Sequence, residues 1–274
     1  MPLSINTNVA SMSAQRSFLN SNSALETAYE RLASGKRINS ASDDAAGLAV
    51  STDLSSRARG LNQAVRNVND GISMVQIMDS TLDEVTSIVQ RMRDLAVQAA
   101  NGSLTTTETT YLQSEITTLS SAIDTAIDQA KFGGVDLASD GAAKSVVIQA
   151  GASSSDAVTL SISIAGVSQA SSLGVSTIDL TGSASAAIGL ADTALDTIAG
   201  HRATLGAHQA QLESTVRNLS NVEQNTAAAA GRIMDTDYAS ETANLTKAQI
   251  LQQAATSVLA QANAQPQAVL ALLQ

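Results

Sequence analysis

The stretch that decides the fold is residues 61–100, LNQAVRNVNDGISMVQIMDSTLDEVTSIVQRMRDLAVQAA. Apolar residues recur in it in two rows at seven-residue spacing. The first row is Leu61, Val68, Val75, Leu82, Val89 and Ala96; the second is Val65, Ile72, Met78, Val85, Met92 and Ala99, with a slip of one position after Ile72. A period near 3.5 residues places both rows on one face of a helix, which predicts a long helix packed lengthwise against another.

The boundaries of this helix can be predicted from its flanks. Ser42-Asp43-Asp44 offers a capping hydroxyl followed by two acids in the first turn, and Asn101-Gly102 offers a glycine for a left-handed residue after the last turn. A helix over about 43–100 would be about 85 Å long. Because a compact domain does not need a helix of that length, we expect an elongated rod.

Two further helices carry matching apolar stripes. One follows Thr105 and Glu108, which have capping-box spacing, and the other follows Ser183 and runs over about 184–230. Their apolar residues are Leu112, Ile116, Leu119, Ile123, Ile127 and Ala130 in the first, and Ala191, Ile198, Leu205, Leu212 and Leu219 in the second. The core of the resulting bundle is predicted to contain Val65, Ile72, Val75, Leu82, Val89, Leu195, Leu205 and Leu212.

Between these helices the apolar period changes from about 3.5 to about 2. The runs Val146, Ile148, Ala150 and Val158, Leu160, Ile162, Ile164 alternate with other residues, and the loop 151–156 separates them. This pattern predicts a β-hairpin, and Phe132-Gly133-Gly134-Val135 predicts a tight turn. The predicted fold is therefore mainly α, a coiled-coil-like bundle of long antiparallel helices with a small β-hairpin region.

The two ends of the chain are amphipathic and almost uncharged. Residues 1–33 have four charged side chains and residues 239–274 have two, so the net charge of −10 resides in the middle. A pair of such helices leaves an apolar face uncovered, and other copies of the chain can bury it without desolvating charges. The alternative is that both helices complete a monomeric bundle. Repeating one contact between copies without closing a ring gives an open helical filament.

Composition excludes several function classes. The chain has 274 residues, with Asp+Glu 25 against Lys+Arg 15, which disfavours nucleic acid and anionic membranes as main partners. It has no Cys for a disulfide, a thiolate metal site or a nucleophile. His201 and His208 are too far apart on a helix to chelate one metal. With no nucleophile elbow or phosphate-binding loop, we expect no enzyme activity, no metal site and no cofactor.

Several motifs resemble those of one family. Residues 31–49, RLASGKRINSASDDAAGLA, and residues 5–8, INTN, resemble the N-terminal signature of bacterial flagellins. Residues 91–102, RMRDLAVQAANG, resemble the flagellin rod motif. Residues 248–254, AQILQQA, and 259–263, LAQAN, resemble the C-terminal signature.

The resemblance implies the structural subunit of the extracellular flagellar filament, which serves swimming motility. It implies an inner domain D0 from 1–42 and 236–274, and a domain D1 from 43–131 and 183–235 with the β-hairpin region at 132–182. In D0 the polymerisation residues would be Ile5, Val9, Met12, Leu19, Leu25, Leu32, Leu245, Leu251, Val258, Leu259, Leu270 and Leu273. The N-terminus lacks a secretory signal pattern, and the family is secreted without a cleavable signal peptide.

The resemblance also implies partners. They are further copies of the chain in a helical homopolymer, the flagellar cap and hook–filament junction proteins, an export chaperone and the flagellar type III export apparatus. In a vertebrate host the innate receptor TLR5 is a further candidate, because Arg91, Leu95 and Glu115 match the face that it recognises in some flagellins. A hook–filament junction protein is the nearest alternative function, and a coiled-coil adhesin or binding module is a more distant one.

Overall fold

The computed structural model describes residues 7–138, 144–151, 153, 157–162 and 169–272. The helices in this part of the chain are α1 (Val9–Ser34), α2 (Ala45–Ala99), α3 (Thr106–Asp128), α4 (Ala184–Met234) and α5 (Tyr238–Leu272), with a 3-10 turn at Val175–Thr177. The strands are β1 (Lys131–Phe132), β2 (Val135–Asp136), β3 (Lys144–Gln149) and β4 (Ala157–Ile162). The fold is mainly helical, as predicted.

The chain divides into two compact units. One comprises the chain up to Ser56 together with the chain from Asn225 onward, and we call it the terminal unit. The other runs from Arg57 to Gln224, and we call it the central unit. Each long helix α2 and α4 therefore contributes to both units.

The heptad rows form the core of the central unit. Every residue of the first row of α2 is buried, and in the second row Met78, Val85 and Met92 are buried while Val65 and Ile72 pack against the core. The predicted α4 row from Ala191 to Leu219 is buried as well. Polar pairs also join α2 and α4; among them, Arg202 donates to Asp79 at 2.9 Å and Arg93 donates to Asp192 at 2.6 Å. The prediction of long helices packed along their lengths is thus confirmed.

Helix α3 begins with the predicted capping box. The Glu108 N–H donates to the Thr105 hydroxyl oxygen, and the Glu108 carboxylate accepts from the Thr105 N–H at 2.7 Å. The side chain of Gln113 also fastens a loop onto this helix, because its amide donates to the carbonyl of Ile178 at 2.9 Å and accepts from the N–H of Leu180 at 2.8 Å. Both loop residues belong to the core.

The predicted hairpin is present as an antiparallel pair of β3 and β4, in which Val146 is opposite Leu160 and Ile148 opposite Val158. Ile164 lies outside the described residues. Ile148 is buried, and it packs against Gly71 of α2 so closely that a Cβ at Gly71 would lie 2.2 Å from the Ile148 Cδ1 atom. Glycine is therefore required where the hairpin meets the helix.

The second predicted turn is also formed. Strands β1 and β2 pair in an antiparallel manner around Gly133 and Gly134. Both glycines have positive φ, +57° and +85°. This left-handed region is the one that glycine enters most easily, and two-residue hairpin turns require it.

Two predictions about the ends of α2 were wrong. The cap is Asp44 rather than Ser42, because the Asp44 carboxylate accepts from the Gly47 N–H at 2.9 Å. Gly102 does not have a positive φ. Instead, the helix ends in a tightened turn in which the Asn101 N–H donates to the Gln98 carbonyl at 3.2 Å, so no left-handed residue is needed.

Candidate polymerisation surface

The terminal helices are well delimited by their caps. The Asn8 side chain accepts from the Ser11 N–H at 3.0 Å at the start of α1, and Gly35 ends that helix with φ +69°. Asp237 begins α5, because its carboxylate accepts from the Ala239 N–H at 2.9 Å. These caps define the start and end of α1 and the start of α5.

Helices α1 and α5 pack against each other in an antiparallel arrangement. Polar pairs along their lengths define the register: Asn8 to the Ala262 carbonyl at 2.8 Å, Ser11 to Asn263 at 2.8 Å, Gln249 to Tyr29 at 3.3 Å, and Arg31 to Glu241 at 3.9 Å. Residues at the start of α1 thus meet residues late in α5, and residues near the end of α1 meet residues early in α5. The prediction that the N- and C-terminal helices pair is confirmed.

The seam between α1 and α5 consists of small residues. Ala14 and Ala28 of α1 and Ala248, Ala255 and Ala262 of α5 are each 8% exposed or less. The three residues of α5 are seven positions apart, as the contact row of a coiled coil must be. The axial distance between packed helices depends on the side chains at their contact, so alanine allows a close approach.

Three large apolar residues of α1 lie on its opposite face. Val9, Met12 and Leu19 are 68%, 57% and 60% exposed. At about 3.6 residues per turn, these positions point away from Ala14 and Ala28. The helix therefore buries small residues against α5 and leaves these three bulky residues in solvent, which argues against the alternative of a closed monomeric bundle.

Helix α5 also leaves bulky apolar residues exposed, but Leu251 and Val258 lie at the edge of its alanine seam, three positions after Ala248 and Ala255. Leu251 and Val258 are 48% and 55% exposed, and Ile250, which the sequence analysis did not select, is 60% exposed. Two open grooves accompany these side chains. One, of about 430 Å³, lies between the helices beside Leu251 and Val258, and the other, of about 470 Å³, lies beside Ile250 and Leu251.

The other residues predicted for polymerisation fall into two groups. Leu25, Leu32, Leu245 and Leu259 are half-buried. Ile5 and Leu273 lie outside the described residues, as does the side chain of Leu270.

The three residues predicted as a receptor face lie in the central unit but differ in exposure. Arg91 donates to the Glu115 carboxylate at 2.6 Å and 3.0 Å, and the two side chains are 56% and 40% exposed. Leu95 is 1% exposed and belongs to the hydrophobic core. The structure therefore brings Arg91 and Glu115 together at the surface and places Leu95 beneath it.

The shifted titratable groups serve structure rather than reaction chemistry. Hydrogen bonds from Ser40 and Asn39 lower the pKa of Asp43, and hydrogen bonds from Thr105 lower the pKa of Glu108. Each cause is a turn or a helix cap. No group of three or more His, Cys, Asp or Glu side chains within the described ranges could hold a metal ion.

A search for membrane-spanning helices gave a negative result over the same residues: none of the described helices combines the length and the apolar character needed to cross a bilayer.

The fold and surface define a class: a protein built from long paired helices, with uncharged and exposed apolar faces at its paired ends. Comparison with known proteins identifies the family. Residues 5–143 match the bacterial flagellin N-terminal helical region, and residues 188–273 match the bacterial flagellin C-terminal helical region.

Two curated relatives match over essentially the full length of the chain. The chain is 39% identical to the flagellar filament 33 kDa core protein of Treponema phagedenis, covering 98% of this chain and 99% of that protein. It is 34% identical to polar flagellin F of Vibrio parahaemolyticus, covering all of both chains in an alignment of 377 positions. The crystal structure of Bacillus cereus flagellin, at 32% identity, covers 60% of this chain and 94% of its own, with a TM-score of 0.49.

The chain belongs to the bacterial flagellin family. It is accordingly a structural, non-enzymatic subunit of the flagellar filament, located outside the cell and used in motility. Self-polymerisation into that filament follows from membership of the family. The alternatives of a hook–filament junction protein and of an adhesin or binding module are displaced by these matches.

Proposed function

We propose that this flagellin polymerises by packing the outer faces of α1 and α5 against neighbouring copies, in an open helical homopolymer. The observation that carries the proposal is that both helices bury alanines in their seam and leave bulky apolar residues exposed. On α1 the exposed residues are Val9, Met12 and Leu19 on the outer face. On α5 they are Leu251 and Val258 at the edge of the seam and Ile250.

The energetics favour association through these faces. Burying a large apolar side chain fully contributes about 1.5–3 kcal/mol, so several such residues supply a substantial driving force. The two helices also contain few charged side chains, four in residues 1–34 and two in 238–274. Burial between copies therefore requires little desolvation of charge, which would otherwise oppose association.

The same faces suggest how the other partners bind. A terminal copy at either end of the polymer keeps one set of apolar faces uncovered, and we propose that the cap and the hook–filament junction protein cover them. Before assembly, Ile250, Leu251 and Val258 leave α5 with an exposed apolar face. This supports binding of α5 by an export chaperone, which then delivers the chain to the flagellar type III export apparatus.

We propose the division into D0 at 1–42 and 236–274 and D1 at 43–235, with 132–182 as its β-hairpin region. The end of α1 at Ser34 and the start of α5 at Tyr238 support it. Recognition by TLR5 in a vertebrate host is a further proposal, for which the exposed pair Arg91 and Glu115 offers a charged contact while the buried Leu95 supports the helix beneath.

The test is a pair of substitutions on the proposed surface, Leu19→Gln and Val258→Gln, made separately in the full chain. Both side chains are more than half exposed, so the helical content measured by circular dichroism should not change. The critical concentration for polymerisation, measured by sedimentation, should rise about tenfold or more because each change removes apolar burial between copies.

The matched control is Tyr111→Gln in the central unit, where the side chain is 69% exposed on α3. We expect its critical concentration to stay within about threefold of the wild type, as is usual for a surface change. Wild-type critical concentrations for both Leu19→Gln and Val258→Gln would show that the outer faces do not drive assembly.

A further inference from the structure

Charged residues of the terminal helices converge on one groove. This groove has a volume of about 470 Å³ and is lined by Arg31 of α1 and by Glu241 and Lys247 of α5, together with polar side chains such as Asn20 and Asn244. Helix α5 has no other charged residue. Arg31, Glu241 and Lys247 therefore lie together in this groove, although the terminal helices contain few charged residues.

The charged groups in this groove are poorly satisfied. The Glu241 side chain is only 9% exposed, and its contact with Arg31 is an ion pair at 3.9 Å, longer than a hydrogen bond. The Arg31 Nε atom is buried and has no hydrogen-bond partner among the described residues. A buried donor without a hydrogen bond costs free energy, and a carboxylate whose side chain is only 9% exposed has little access to water. The groove therefore favours an occupant that offers both a hydrogen-bond acceptor and a donor.

The chemistry of the groove specifies that occupant. It must accept a hydrogen bond from Arg31 and donate one to Glu241, and a carboxamide has both a carbonyl oxygen and an NH₂ group. We propose that the groove binds an Asn or Gln side chain from a terminal helix of a second copy of this chain. This inference rests on the proposed function, because it assigns one polar contact within the assembly surface proposed above.

A second copy is favoured over other occupants for two reasons. The groove is continuous with the apolar surface, since Leu251 lines this groove and both apolar grooves. Carboxamides are also the main polar groups of the terminal segments, with five Asn or Gln residues in 1–34 and nine in 238–274. A neighbour that packs on the outer faces therefore brings such a group close to Arg31 and Glu241.

The first test uses Arg31→Lys and Glu241→Gln in the full chain. Lysine retains the positive charge but lacks the Nε donor, and glutamine retains the shape of glutamate but lacks its charge. Hydrogen bonds to charged groups are worth about 1.5–3 kcal/mol, so the critical concentration should rise about tenfold or more in each variant. The exposed controls Arg59→Lys and Glu84→Gln in the central unit should polymerise like the wild type.

The second test identifies the occupant directly. Because the chain has no cysteine, Asn244→Cys can be labelled at one position with benzophenone maleimide, polymerised with ¹⁵N-labelled wild-type chain, irradiated and mapped by mass spectrometry. We expect cross-links from position 244 to residues 1–34 or 238–274 of the labelled copy. Cross-links that reach only the same chain, or only residues 57–224 of the other copy, would overturn the inference.

The two proposals fail in different ways. If Leu19→Gln and Val258→Gln raise the critical concentration while Arg31→Lys and Glu241→Gln do not, the outer faces drive assembly and the groove takes no carboxamide. If Leu19→Gln and Val258→Gln also polymerise normally, the assembly surface itself is wrong.

Discussion

The packing of Ile148 against Gly71 makes a quantitative prediction about the central unit. Replacing a glycine inside a helix with alanine normally stabilises a protein by about 1 kcal/mol. At Gly71 the added methyl group would lie 2.2 Å from the Cδ1 atom of Ile148 and 3.6 Å from a methyl group of Leu212. Since Ile148 is 5% exposed, it can move only by repacking its neighbours, and overpacking costs about 1–3 kcal/mol.

We therefore expect Gly71→Ala to destabilise the protein by up to about 2 kcal/mol, the difference between these two effects. Thermal unfolding of the full chain, followed by circular dichroism, is the assay. For a unit of this size, 1 kcal/mol corresponds to a shift in Tm of about 2–4 °C. The control is Gly206→Ala on α4, where an added Cβ meets no atom within 4 Å and the Tm should rise.

A double-mutant cycle then tests the cause. Ile148→Val removes the Cδ1 atom and by itself costs about 0.5–1.5 kcal/mol. In that background the obstacle to a methyl group at Gly71 is gone, so Gly71→Ala should become stabilising, and the two changes should couple by about 1–2 kcal/mol. Equal stabilisation by Gly71→Ala and Gly206→Ala in the wild-type background would refute the reasoning, because it would mean that Ile148 does not pack closely against Gly71.

Two further predictions concern α3. Gln113→Ala should lower the free energy of unfolding by about 2 kcal/mol, because it leaves the buried carbonyl of Ile178 and N–H of Leu180 without partners; faster amide exchange at Leu180 is the specific readout, and unchanged exchange there would contradict it. The capping box should make the start of α3 sensitive to acid. Its hydrogen bonds lower the pKa of Glu108 in the folded state, so its stabilisation is present above the ordinary glutamate pKa of about 4.3 and is lost as the pH falls through the lowered folded value. Amide exchange of the first turn at pH 6 and pH 3 should show this loss, and Thr105→Ala should reduce the difference.

The helices of the central unit could be predicted from sequence because one physical pattern determines them. Residues buried between parallel helix axes must recur near every 3.5 positions, and the rows beginning at Leu61 and Ala191 meet that condition without interruption. The capping box at Thr105 was equally predictable, since all its partners lie within four residues. Local patterns of this kind need no knowledge of the tertiary fold.

Features that depend on distant segments could not be predicted in the same way. The role of Gln113 requires knowing which loop covers α3, and the need for glycine at Gly71 requires knowing where Ile148 lies. Likewise, the resemblance that selected Leu95 alongside Arg91 could not reveal that the Leu95 side chain faces the core. In these cases the sequence shows the residues but does not show which of them are in contact.

The terminal helices contain a local pattern and a distant contact together. Sequence reasoning selected bulky residues such as Leu19 and Val258 for assembly. Ala248, Ala255 and Ala262 recur every seven positions, but the sequence alone did not assign them to a seam with α1, because alanine contributes little apolar area. If the seam consisted of leucine, most of the bulky apolar area would be buried within the monomer. A seam of alanine joins the two helices closely and leaves the bulky apolar side chains exposed. If the proposed assembly surface is correct, most of their apolar area is buried only when copies assemble. This division accounts for paired helices that are ordered by their own caps and polar contacts and yet depend on neighbours to cover their bulky residues.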